Sequence, residues 1–112
     1  MGKDKTELLQ GTLDLLVLKT VDTMGPLHGW AIAKRIEQVA ESLLEMKYGT
    51  LYPALMRLEQ NGWISSEWGV SDNNRRARFY SITKQGRKQL AREAENWEKM
   101  AAFITRVLGT NR

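Results

Sequence analysis

Between Trp63 and Ile82 the apolar period of this chain falls to two, while on either side of that stretch it is helical. Ile64 and Trp68 share one face of a first strand, expected over Trp63–Gly69. Tyr80 and Ile82 share one face of a second, expected over Ala77–Ile82. The segment between them, Val70–Arg76, is polar and too long for a tight turn, so a hairpin with a loose, charged tip is expected. Three helical runs precede it. Leu9, Leu13, Leu16, Val17, Thr20 and Val21 recur at helical spacing within Leu8–Val21, and Gly25-Pro26 stops that run. A second helix is expected from His28 to Leu43, with Ile32, Ala33, Ile36, Val39, Ala40 and Leu43 on its apolar side. An extended link, Glu45–Tyr48, leads to a third helix over Thr50–Asn61. Thr50 is its expected N-cap, Pro53 falls in its first turn, and Asn61-Gly62 is its stop. Leu51, Leu55 and Leu58 face inward, with Met56 a candidate to join them.

The last run, Thr83–Leu108, makes a helix about 39 Å long. A globular body of this size is only about 26 Å across. Leu90, Ala94, Trp97, Ala101, Ile104 and Leu108 follow a coiled-coil spacing, and Met100, Phe103 and Val107 add a second stripe. A helix that carries so much apolar surface past its own body needs a partner, and a second copy is the simplest. The fold class expected is mainly α with a β-hairpin: a winged helix-turn-helix plus a long C-terminal dimerisation helix. The division expected is a winged-helix body over residues 1–84 and a dimerisation helix over 85–112.

Charge narrows the function. The net charge is +4, but its distribution is uneven. Residues 73–92 carry seven Lys and Arg and no acid, whereas residues 1–72 carry seven against ten Asp and Glu. A single-sign strip of this kind attracts polyanions. The chain has no cysteine and one histidine, which excludes thiolate chemistry and leaves no ordinary zinc site. There is no nucleophile elbow and no phosphate-binding glycine loop, so neither an enzyme nor a bound cofactor is expected. No run is apolar enough to span a membrane, and the polar start lacks a signal-peptide core, so a cytoplasmic protein is expected.

Three helices followed by a hairpin suit duplex DNA. The third helix enters the major groove by its N-terminal end, which offers Lys47, Tyr48, Thr50 and Tyr52; Arg57 lies further along, within reach of a guanine edge or a phosphate. Arg75, Arg76 and Arg78 of the hairpin would lie on the flanking backbone or dip into the minor groove. His28 and Lys34 of the second helix are further candidates for the backbone. The alternative is a winged helix that docks an acidic protein partner through the same basic strip. Trp97 has two readings. It fills the dimer seam, or, with small Ala94 and Ala101 beside it, it walls a slot for a planar aromatic compound.

Three segments carry a resemblance: Gly25-Pro26-Leu27-His28-Gly29-Trp30, then Tyr48-Gly49-Thr50-Leu51-Tyr52-Pro53-Ala54-Leu55-Met56-Arg57-Leu58-Glu59, then Arg76–Gly86. Together they resemble PadR-type transcriptional regulators, in particular the short subgroup with one C-terminal helix. The resemblance implies a homodimeric repressor on a pseudo-palindromic operator, with effectors in some members, including planar aromatics at the dimer interface. It also implies that Tyr48, Thr50 and Tyr52 face DNA, that Arg75, Arg76 and Arg78 form the wing's basic tip, and that His28 and Trp30 lie near the backbone. Trp30 stands where a tyrosine is common in that family, and Trp63 where a leucine is common.

Overall fold

The computed structural model describes residues 10–41 and 43–109; Leu8 and Leu9, at the head of the first expected run, lie outside the described residues. The first helix, α1 (Gln10–Met24), buries Leu13, Val17, Leu18 and Val21. Gly25-Pro26 ends it, with the Gly25 N–H donating to the Val21 carbonyl at 3.0 Å. A two-residue strand follows, β1 (Leu27–His28), too short to show any period in the sequence. His28 then caps the second helix, α2 (Gly29–Ala40), its Nδ1 accepting from the Ala31 N–H at 3.3 Å.

α2 is shorter than expected. It stops at Ala40, where Glu41 takes a positive φ of 57°. Ile32, Ala33 and Ile36 are buried, but Val39 and Leu43 are exposed. The connection that follows turns inward instead and buries Leu44 and Met46, and the Met46 N–H donates to Glu37 Oε2 at 2.7 Å.

The third helix, α3 (Tyr48–Gln60), starts two residues before the expected cap. Lys47 occupies the N-cap position without a side-chain bond, and Thr50 sits in the first turn. Pro53 therefore lies past the first turn, and the Gly49 carbonyl loses its helical donor. Leu51, Ala54, Leu55 and Leu58 are buried in the centre of the core. Gly62, at φ +79°, closes the helix: its N–H donates to the Glu59 carbonyl and that of Trp63 to the Leu58 carbonyl, both at 3.0 Å.

Two strands then form the hairpin, β2 (Ile64–Val70) and β3 (Arg76–Ile82). They pair antiparallel from Ile64↔Ile82 to Val70↔Arg76, and β1 pairs with the other edge of β3, giving the order β1-β3-β2. The strands run further than expected and leave only Ser71–Arg75 as the loop. That loop is tied rather than loose. The Ser71 N–H donates to the Arg75 carbonyl and the Asn74 N–H to the Ser71 carbonyl, both at 2.8 Å.

The last helix, α4 (Lys84–Leu108), is capped by Thr83, whose Oγ1 accepts from the Gly86 N–H at 3.0 Å and donates to the Gly62 carbonyl at 2.6 Å. Its first turns lie on Trp63, just before β2, and against α1. Leu90 is buried in the core, and Arg87 Nε meets Asp22 Oδ1 of α1 at 3.3 Å. Beyond Trp97 its side chains are almost all exposed, and the long axis of the protein reaches 53 Å. Among the described residues, no helix is long and apolar enough to cross a membrane.

A Cβ at Gly86 would stand 1.9 Å from the Trp63 carbonyl oxygen, which already accepts from the Thr83 N–H. Gly86→Ala is expected to destabilise by at least about 2 kcal/mol and lower Tm by roughly 10 °C. Thermal melting followed by circular dichroism checks it, and a wild-type Tm would contradict this packing.

Candidate nucleic-acid interface

A period of two in β3 places Arg76, Arg78, Tyr80 and Ile82 on one face, which the pairing matches with Val70, Trp68, Ser66 and Ile64. Near the core this face buries Ile64 and Tyr80. Further out it carries an indole within stacking distance of two guanidinium groups. Arg76 lies 4.6 Å and Arg78 5.2 Å from the centre of the Trp68 ring. Arg78 Nε also donates to Ser66 Oγ at 2.8 Å, and Ser66 Oγ donates to Glu59 Oε2 of α3 at 2.7 Å. The wing is thus stacked and hydrogen-bonded toward the third helix. Arg75, in the loop, is exposed, and its N–H donates to Ser71 Oγ at 3.3 Å.

The start of α3 faces this surface. Tyr48 and Tyr52 stack with ring centres 5.1 Å apart. Burial, and then the neighbouring Tyr52, push the Tyr48 phenol above its ordinary value. Tyr80 is raised too, by burial first, then by Tyr52 and Glu59, against the pull of Arg78. Both phenols therefore stay neutral at physiological pH and remain hydrogen-bond donors. His28 packs edge-on against Phe79 at 5.3 Å, and Lys34 lies 5.5 Å from the centre of the exposed Trp30 ring.

Together these elements enclose a groove of about 820 Å³ between the wing and the start of α3. Of the residues expected at DNA, His28, Tyr48, Tyr52, Arg75, Arg76 and Arg78 line it, joined by Trp30 and Trp68. Lys47 and Thr50 are exposed beside it at the head of α3, and Lys34 sits one turn along α2. Its charge is three arginines against Asp72.

Arg57 is not in this group. Its guanidinium is turned toward α1 and hydrogen-bonded to Asp14, with side-chain exposures of 31% and 10%. The expected reach of Arg57 to a base or phosphate therefore does not match its position: the charge is spent inside the fold. Arg57 Nε is buried and has no partner among the described residues. Burial raises the Asp14 carboxyl above its ordinary value; the hydrogen bond and charge of Arg57 pull it down, and Glu93 adds a further push up. An acid in the middle of an apolar helical stripe is the sequence signal for this pair.

On α4 the expected seam divides. Leu90 faces the core of its own chain, because the first turns of the helix lie on α1. Ala94 and Ala101 are half-buried. Trp97, Ile104 and Leu108 are exposed, as are Met100, Phe103 and Val107. Among the described residues, no cluster of His, Asp and Glu side chains is placed to hold a metal ion.

The model of the transcriptional regulator PadR-like family matches residues 17–92. The chain belongs to that family. It is 33% identical to a transcriptional regulator of known structure from Clostridium thermocellum, which superimposes with a TM-score of 0.77 over 87% of this chain and 90% of that one. A PadR family transcriptional regulator from Eggerthella lenta is 28% identical, with a TM-score of 0.76 over 91% and 86% of the two chains. An uncharacterised protein of Lysinibacillus sphaericus is 27% identical over 89% of this chain and 91% of its own length. The PadR-like assignment makes the fold a winged helix and the chain a DNA-binding transcriptional regulator rather than an enzyme.

Removing the Arg57 guanidinium takes away both influences that favour ionised Asp14. In Arg57→Ala the Asp14 carboxyl is expected to titrate higher still, followed by carbon-detected NMR. Because its folded value lies above its unfolded one, this group gains stability as pH falls through the folded value. The variant should thus be less stable by about 2 kcal/mol at neutral pH, with the gap closing on acidification. An unchanged Asp14 titration would contradict the pairing.

Proposed function

We propose that this PadR-like chain is a cytoplasmic homodimeric repressor whose two copies of α3 and the wing grip a pseudo-palindromic operator. The observation that carries the reading is the groove between the wing and α3, where three arginines face the tyrosines that open α3. The acid-free strip of residues 73–92 supplies the long-range attraction. Arg75, Arg76 and Arg78 take backbone phosphates on this account, with Lys47, Thr50, His28 and Lys34 around them. Residues 1–84 serve DNA and 85–112 serve pairing, with the first turns of α4 shared, since Gly86 and Leu90 pack into the body.

Pairing is supported by the exposed row of Trp97, Met100, Phe103, Ile104, Val107 and Leu108, for which the chain offers no cover of its own among the described residues. In such a dimer, recognition helices about 34–36 Å apart would read half-sites one helical turn apart. Trp97, between small Ala94 and Ala101, is the surface on which a planar aromatic effector would stack. A dimer seated on its operator excludes other proteins from it, which is the basis of the repressor reading.

Titration of labelled duplexes from its own upstream region, across a salt series, tests the proposal. The expected result is two chains per duplex and an affinity that falls steeply with salt. Arg75→Ala with Arg76→Ala should weaken binding on every sequence and flatten the salt slope by about 0.9 for each phosphate no longer neutralised. An unchanged slope removes the wing from the backbone. Absence of salt-dependent binding to any duplex, with retained binding to an acidic polypeptide, would favour a protein-docking role instead.

A further inference from the structure

The solvent side of α3 carries no charge. Tyr52, Pro53 and Met56 form a ridge on it, with Met56 59% exposed and Tyr52 46%. Gln60 continues the ridge. The one basic residue of the helix, Arg57, is held by Asp14, and its one acid, Glu59, accepts from Ser66. The Tyr52 hydroxyl lies back against Gly29 at the head of α2. At its middle α3 therefore presents outward a thioether, a pyrrolidine ring and part of a phenyl face, flanked by the exposed Thr50 hydroxyl at one end and the Gln60 amide at the other.

In the major groove, three of the four bases present only hydrogen-bonding groups; thymine alone adds a C5-methyl. An apolar ridge pressed onto the polar edges of guanine, adenine or cytosine would strip water from groups it cannot pair. Pressed onto thymine methyls it buries apolar surface and strips less water from polar groups than on any other base. The ridge is also continuous, through Tyr52 and Tyr48, with the arginine-lined groove, so an occupant of one that is polyanionic reaches the other. We infer that α3 selects its half-site by apolar contact with thymine methyl groups, with Met56 making the central contact. This rests on the DNA-binding reading above and adds the chemistry of sequence choice to it.

The test leaves the protein untouched in its first arm. The full chain is used to select sites from a random duplex library, and each thymine in the selected half-sites is replaced by deoxyuridine, which lacks only the methyl. The expected loss is roughly fourfold in affinity per buried methyl, from the burial value of one such group, with at least one in each half-site. In the second arm Met56→Ala, whose side chain is exposed and whose folding is checked by circular dichroism, should shrink the deoxyuridine penalty toward unity. Selected sites without thymine, equal binding to the deoxyuridine duplex, or an undiminished penalty in Met56→Ala would each overturn the inference. Salt-dependent binding without any sequence preference overturns it while leaving the DNA-binding reading in place. Failure to bind any duplex contradicts both, and a free Met56 ridge would then mark a protein contact.

Discussion

β3 is hydrogen-bonded along both edges, and the placement of the rest of the interface follows from that. On one edge it holds β1, which fixes His28 and so the first turn of α2. On the other it holds β2, which brings Trp68 opposite Arg78 and next to Arg76. Because alternate residues of a strand share a face, Tyr80 buried at one end commits Arg78 and Arg76 to the groove at the other. Stacking on Trp68 and the Arg78–Ser66–Glu59 chain then hold the guanidinium groups in place. Less side-chain entropy remains to be lost on binding than with free arginines at a loose tip.

The third helix is organised by the opposite use of charge. Its arginine faces inward to Asp14, its glutamate faces sideways to the wing, and its outer ridge is left apolar. Affinity and choice are thereby separated. On the proposed reading, the wing and the basic strip supply attraction to any duplex, and the α3 ridge discriminates among base edges. The Asp14–Arg57 pair also ties α1 to α3 at a place where Glu93 of α4 is near enough to influence the Asp14 carboxyl. α3, α1 and α4 thus meet at one polar cluster within an otherwise apolar core.

Much of this is legible in the sequence. The three helices, the hairpin and the long last helix follow from apolar periods and from Gly25-Pro26 and Asn61-Gly62. β1 is not legible, because two residues show no period and the strand exists only through pairing with β3. The start of α3 falls earlier than its sequence suggests: Thr50 is a good cap by type, yet the backbone is already helical from Tyr48, directly after an extended Lys47. α2 ends early because Leu44 and Met46, not Val39 and Leu43, fill the core beneath it. At the site, Trp68 reads in the sequence only as a strand residue. Its place beneath two arginines depends on register, and register depends on how the loop closes between Ser71 and Arg75. Arg57 and Met56 exchange their expected roles for a tertiary reason: Asp14 lies across the core from α3 and captures the charge, so the neighbour on the helix takes the outer face.

The central claim is that the wing and the start of α3 form one surface that meets DNA as a unit. Amide chemical shifts followed during titration of the intact protein with a duplex test it most directly. The account predicts that the perturbed residues cluster at Lys47–Met56 and Ser71–Arg78, and that both clusters respond with the same apparent Kd. Perturbations centred on Trp97–Leu108 of α4, or on the exposed Val39 side of α2 with the wing resonances unmoved, would contradict it.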